Sequence, residues 1–179
     1  YKANRGETPE DLIPQFDLIK QCVKAFKIPQ LEIEGFEADD IIGSYSNLAS
    51  KLKISSLIVS SDKDLMQLVN EKVEMLDPMK NKKIGIPEVI EKFGVEPKKV
   101  IQIQALTGDK VDNIPGAPGI GPKTALELIK EFGDIENLIK NANKIKQEKR
   151  KNIIKDSQDD IRVSLKLVSL DKEIDLPLS

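Results

Sequence analysis

A run of five residues, Ser56-Leu57-Ile58-Val59-Ser60, decides the fold class. It is apolar, carries β-branched members and is too short for a helix, so it reads as a strand buried within a sheet. Ahead of it, Ile13, Phe16, Ile19, Val23 and Phe26 recur at three- and four-residue steps. These steps predict a helix with one face packed inward. Thr8 would cap it, Pro9 would take its first position, and Pro29 would stop it. Leu31-Glu32-Ile33 reads as a short strand, Gly35 as a turn, and residues 37–53 as a second helix. Asp62 to Val69 reads as a short helix and Val73 to Leu76 as a further strand. Strands and helices alternating in this way predict a mostly parallel α/β sheet. Beyond Pro87 the pattern is helical nearly to the end, interrupted by a Gly/Pro-rich turn at 115–122.

Composition then narrows the chemistry. The 179 residues contain no histidine and a single cysteine, Cys22. Ser-His-Asp and Cys-His triads, His-based and Cys₄ zinc sites and intrachain disulfides are therefore excluded. Carboxylates, lysines and hard metal ions are what remains for hydrolysis. The net charge of −2 hides an uneven distribution. Residues 140–155 hold Lys140, Lys144, Lys146, Lys149, Arg150, Lys151 and Lys155 against Glu148 alone. Such a tract is a solvated helix face unless a binding partner is argued separately. No apolar run approaches the ~18 residues of a membrane span, and no signal peptide is visible, so a cytoplasmic chain is expected.

Three acidic groups stand out: Glu37-Ala38-Asp39-Asp40, Asp62-Lys63-Asp64, and Asp109-Lys110-Val111-Asp112. Glu37 and Asp40, three apart, share a helix face with Asp39 beside them. Asp62 and Asp64 follow the end of a strand, where open α/β sheets bind ligands. An acid in a first helical turn stabilises it by ~0.3–1 kcal/mol, which explains one acid per group. It does not explain two or three, because like charges brought together repel unless cations neutralise them. In a chain without histidine, Mg²⁺ or Mn²⁺ with oxygen ligands is the fitting cation. Two such ions ~3.5–4 Å apart stabilise the attacking and leaving oxygens of phosphodiester hydrolysis.

The segment Gly116-Ala117-Pro118-Gly119-Ile120-Gly121-Pro122-Lys123-Thr124 superficially suggests a P-loop. Pro122 breaks the required Gly-Lys-Thr contiguity, and no strand precedes the loop. A glycine turn between two helices, with Pro122 at the first position of the second, accounts for it better. Such a turn lets backbone amides approach a phosphate, with Lys123 adding charge. An ordinary helical corner is the plain alternative.

Together these motifs resemble the 5′-nuclease domain of bacterial DNA polymerase I, within the flap-endonuclease family. Tyr1-Lys2-Ala3-Asn4-Arg5, Gly35-Phe36-Glu37-Ala38-Asp39-Asp40 and Ser61-Asp62-Lys63-Asp64-Leu65 carry the likeness. So do Leu106-Thr107-Gly108-Asp109, Asp112-Asn113-Ile114-Pro115-Gly116 and Gly119-Ile120-Gly121-Pro122-Lys123-Thr124-Ala125. The resemblance implies a Rossmann-like (PIN-like), mostly parallel α/β core over 1–95. A helical subdomain over 96–179 would follow, with a helix–hairpin–helix-like DNA-binding element at 105–132. It implies two Mg²⁺ or Mn²⁺ ions, one served by Glu37, Asp39 and Asp40, the other by Asp62, Asp64, Asp109 and Asp112. It also implies a K⁺ ion on backbone oxygens of the hairpin. Lys2 and Arg5 would steer a 5′ strand, while Gly119, Gly121, Lys123 and Thr124 would hold duplex phosphates. The partner would be flap-bearing, nicked or primer-bearing DNA, with a polymerase region in the same or another chain.

Family members carry a further stretch before this point, with the first strand of the sheet and two more aspartates. The chain opens at Tyr1 rather than methionine, so a segment upstream is expected. A structure-specific 5′-3′ exonuclease or flap endonuclease is the leading reading. A truncated fragment that binds DNA without cutting it is the alternative. A Rossmann-like module holding one Mg²⁺ is a third, disfavoured because the glycine turn lies outside the α/β part.

Overall fold

A computed structural model describes residues 6–177. Helix α1 (Ile13–Ala25) is followed by α2 (Ala38–Lys51) and strand β1 (Ser56–Val59). A 3₁₀ helix over Lys63–Leu68 leads to β2 (Val73–Asp77) and β3 (Lys82–Ile84). Helices α3 (Ile86–Phe93), α4 (Val100–Thr107), α5 (Pro122–Phe132), α6 (Ile135–Lys140), α7 (Glu148–Asp156) and α8 (Gln158–Val168) complete the chain. The strands form one sheet in the order β1-β2-β3. β1 runs parallel to β2, with Ser56 opposite Val73 and Val59 opposite Leu76. β3 returns antiparallel, with Met75 opposite Ile84.

Two apolar clusters hold these elements. One lies under the sheet: Ile58, Val73 and Met75 pack with Leu65 and Leu68 of the 3₁₀ helix and with Val89 and Val100. The other is made by the helices, with Leu106, Leu128, Ile129, Ile135, Leu138, Ile154 and Ile161 at its centre. Phe93, at the end of α3, touches both. A tail over 169–177 then runs back along α2. The Asp171 amide donates to Asp40 Oδ1 (2.9 Å), Asn47 Nδ2 to the Lys172 carbonyl (2.9 Å), and the Ile174 amide to Ser44 Oγ (3.3 Å).

Several local expectations change. α1 starts at Ile13, not after Thr8, because residues 10–12 form a turn in which the Leu12 amide donates to the Pro9 carbonyl. Its apolar residues do not pack inward: Ile13, Phe16, Ile19 and Phe26 are exposed, and no residue of α1 is buried. Periodicity marks an apolar face but says nothing of what covers it. Leu31-Glu32-Ile33 joins no ladder; the Phe36 amide closes a turn on the Ile33 carbonyl instead. Three-residue β3 escapes sequence reading because only Ile84 of it is buried, with Lys82 and Lys83 outward. α2 and β1 fall where the sequence places them, within two residues at each end, as do the short helix after Asp62 and β2, and the chain beyond Pro87 is helical as expected.

Candidate active site

Glu37 stands at the N-cap of α2, with Asp39 and Asp40 in its first turn. Asp40 Oδ2 accepts the Glu37 amide (3.3 Å), and its other oxygen accepts the Asp171 amide. Asp40 thus fixes both the start of α2 and the tail that passes it. Asp62 caps the 3₁₀ helix, its Oδ1 accepting the Asp64 amide (2.9 Å). Asp109 heads a small closed loop. Its backbone pairs with Ile114 in both directions (3.0 and 2.7 Å), and its Oδ1 accepts the amides of Val111 (2.9 Å) and Asp112 (3.4 Å). One acid in each group therefore caps backbone, as first-turn chemistry requires.

Acids of the first two groups line a shared hollow. Glu37, Asp39, Asp40, Asp64 and Asp171 line a cleft of about 640 Å³, with Lys166 on its rim. Asp64 also lines an adjoining hollow of about 250 Å³ with Lys63, Gln104 and Asp109. Asp64 is thus the common wall between the first acidic group and the third. Asp62 is exposed and lines neither hollow, and Asp112 sits half-buried beyond Asp109 on the loop. Among the described residues, no three acidic or cysteine side chains come close enough together to grip one ion.

Electrostatics separate the two central acids. Burial, followed by the neighbouring Asp62 charge, raises the Asp64 pKa above the ordinary carboxylate value. Gln104 Nε2 donates to Asp64 Oδ1 in partial compensation. The Gln104 Oε1 atom, buried beside it, finds no partner among the described residues. Asp109 moves the other way: the hydrogen bond from Lys63 Nζ to its Oδ2 (2.8 Å) lowers its pKa. A half-buried acid crowded by another acid, next to an orphaned amide oxygen, offers oxygen donors, with Lys63 and Lys92 lining the same hollow. Its donor set fits a hard divalent cation and no soft one.

Sequence reasoning missed two residues here. Asp171 opens an alternating Asp171, Glu173, Asp175 tail after a long helical stretch and reaches the cleft only because that tail folds back across 131 positions. Gln104 is an unremarked polar residue on the mainly apolar helix α4. A buried-facing glutamine in an apolar helix is the one signal that could have been read.

The glycine hairpin lies in the helical part. A Cβ on Gly116 would sit 2.5 Å from the Gly108 amide nitrogen, so the loop bases touch backbone to backbone. The Gly116 amide donates to buried Ser164 Oγ (2.9 Å). Gly119 has φ +86°, and Gly121 is the N-cap of α5. Lys123 is exposed and Thr124 half-buried in the first turn. Downstream, Arg150 pairs with Glu127 (2.9 Å) and Lys151 with Glu148 (2.6 Å), while Lys140, Lys144, Lys146, Lys149 and Lys155 are exposed. Lys2 and Arg5 lie outside the described residues.

Comparison with known proteins places this arrangement. A family model for the 5′-3′ exonuclease N-terminal resolvase-like domain matches residues 1–94, more than half of the chain. The chain belongs to the 5′-3′ exonuclease family. The family's C-terminal SAM fold matches residues 95–179. The chain is 55% identical over 178 residues to DNA polymerase I of Rhizobium leguminosarum, covering 99% of itself and 18% of that protein. It is 42% identical over 179 residues to the 5′-3′ exonuclease of Aquifex aeolicus, covering all of itself and 61% of that protein. It therefore spans under two thirds of these exonuclease relatives' length. Among solved structures, the bacteriophage T5 D15 protein co-crystallised with metal ions matches with a TM-score of 0.85 at 27% identity. That match covers 96% of this chain and 67% of the T5 chain. The T5 flap endonuclease in a pseudo-enzyme–product complex with DNA and metal ions matches at 0.81 and 27%, over 94% and 64% of the two chains. Among the described residues, no helix is long and apolar enough to cross a membrane.

Proposed function

We propose that this chain is the catalytic part of a structure-specific 5′-3′ exonuclease and flap endonuclease that hydrolyses DNA phosphodiesters with two hard divalent cations, Mg²⁺ or Mn²⁺. The observation that carries the reading is the placing of Asp64 between the Glu37, Asp39, Asp40 cleft and Asp109. Family membership and the metal- and DNA-bound T5 relatives support it. Glu37, Asp39 and Asp40 would hold one ion; Asp62, Asp64, Asp109 and Asp112 would hold the other. Bound there, the ions supply Lewis-acid stabilisation of charge building on the phosphodiester oxygens.

The chain's own residues do the rest. Asp64, half-buried, keeps its carboxylate fixed through Gln104. Asp40 locks the first turn of α2 to the tail, so the acids of that turn present a rigid edge. Gly121 has no side chain with which to cap α5, which leaves the first-turn amides of Lys123 and Thr124 for an outside acceptor such as a duplex phosphate. Lys123 adds charge, and the exposed lysines of 140–155 extend the electropositive track. A K⁺ ion on backbone oxygens of the 116–121 turn belongs to the same reading. Lys2 and Arg5 would guide the 5′ strand. DNA shape, not base identity, sets specificity, since phosphate contacts carry no sequence code.

A second reading, a DNA-binding fragment without activity, is favoured by the lack of any three converging carboxylates among the described residues. One experiment separates the two. With Mn²⁺ and an end-labelled 5′-flap duplex, the parent chain should release the flap, and Asp62→Asn and Asp64→Asn should not. Salt-dependent binding without release, in a preparation shown by circular dichroism to be folded, would establish the second reading instead.

A further inference from the structure

Lys63 sits in the middle of the acids yet has no role in the ligand sets above. It lies between Asp62 and Asp64 in sequence, and its Nζ donates to Asp109 Oδ2 at 2.8 Å across 46 positions. Asp109 Oδ1 is already committed to the Val111 and Asp112 amides, so the carboxylate cannot swing to present another oxygen. The one outward-facing oxygen of Asp109 is the one the ammonium takes. The side chain stem leaves the first residue of a 3₁₀ helix whose cap is itself an acid of the group. Lys63 is therefore positioned by the site and aimed back into it.

We infer that Lys63 is a resident counter-ion, a positioning residue that a divalent cation must displace from Asp109. This rests on the two-ion reading of the preceding subsection. The ammonium pairs with Asp109 and also feels the charges of Asp62 and Asp64, its neighbours in the chain. Without it their mutual repulsion would disfavour the folded geometry; with it an incoming ion competes for Asp109 Oδ2. The lysine holds the site together while it is metal-free and raises the ion concentration needed to fill it. The displaced ammonium then lies free beside the hollow, where the anionic substrate would arrive.

The test is Mn²⁺ binding to the full chain without DNA, read as free Mn²⁺ by electron paramagnetic resonance. Lys63→Met should bind Mn²⁺ about threefold to tenfold more tightly than the parent, the size expected for removing a half-exposed competing charge. The gain should vanish in an Asp109→Asn background, where the contested oxygen is gone. Lys63→Gln, which keeps a polar and hydrated side chain, should show the same gain and guards against a folding defect in the methionine variant. Lys92→Met, a cation lining the same hollow, should change the affinity by less than twofold. Equal or weaker Mn²⁺ binding by both Lys63 variants, with the parent binding normally, would overturn the inference alone. Absence of Mn²⁺ binding in parent and variants alike would overturn the two-ion reading and this inference with it.

Discussion

The helical half and the α/β half of this molecule solve burial differently. In the helical half, α4 to α8 close around their own cluster, and Leu106, Ile129, Ile135, Leu138, Ile154 and Ile161 are almost completely buried. In the α/β half, β1 is, among the described residues, the last strand on its side of the sheet, with Leu57 49% and Val59 61% exposed. An apolar groove of about 530 Å³ lies between β1 and α2, and α1 contributes no buried residue at all. Local helix pairs can bury one another's apolar stripes. A strand cannot cover its own face, and an edge strand also carries unspent backbone groups. The amides of Ser56 and Ser60 are spent on β2, so those of Leu57 and Val59 point to the open side. The acidic cleft lies where the two halves meet, with the start of α2 on one side and the end of α8 and the tail after it on the other.

Substitutions can break this contrast, beginning with the largest effect. Gly116→Ala combines a φ of +61° with a Cβ only 2.5 Å from backbone. It should cost about 4 kcal/mol or more and leave the chain unfolded or nearly so in urea melts. Matched truncations then compare the halves directly. Leu138→Ala in the closed cluster should cost ~2–5 kcal/mol, whereas Phe16→Ala on the open face of α1 should change stability by under ~0.5 kcal/mol. An equal cost at the two positions would show that the face of α1 is covered in solution.

A smaller, pH-dependent effect sharpens the same comparison within the sheet. Buried Asp77 accepts hydrogen bonds from Ser61 Oγ (2.7 Å) and from the Met79 (3.0 Å) and Lys80 (3.3 Å) amides, and these lower its pKa, with Ser61 foremost. A lowered folded pKa contributes stability that is present above the unfolded value and lost as pH falls through the folded one. Ser61→Ala should therefore destabilise the chain at neutral pH and converge with the parent in acid, once pH falls through the lowered Asp77 pKa and the carboxylate protonates. A pH-independent difference between the two would mean that Ser61 acts through packing rather than through the Asp77 charge.

Much of this was legible in the sequence, for identifiable reasons. Ser56 to Ser60 declares its strand because both its length and its β-branched content exclude a helix. Pro122 and Gly121 mark the start of α5 by local backbone chemistry, and Asp62 marks the start of the 3₁₀ helix in the same way. What sequence could not show depends on partners distant in the chain. The exposure of α1 depends on what packs against it, which periodicity does not encode. β3 is three residues long and takes its conformation from the edge of β2. Lys63 reads as a spacer between two acids until folding brings Asp109 to it. The three acidic motifs were visible, but that Asp64 would be their common wall was not.

The bond from the Asp171 amide to Asp40 closes a loop of 131 residues, most of the chain. The entropy of closing a loop grows with the logarithm of its length, and contacts this distant in sequence form late in folding. The acidic cleft thus depends on a long-range closure that local helix formation does not supply. Refolding followed by intrinsic structure and by cation binding should therefore give two different clocks, with the second always the slower.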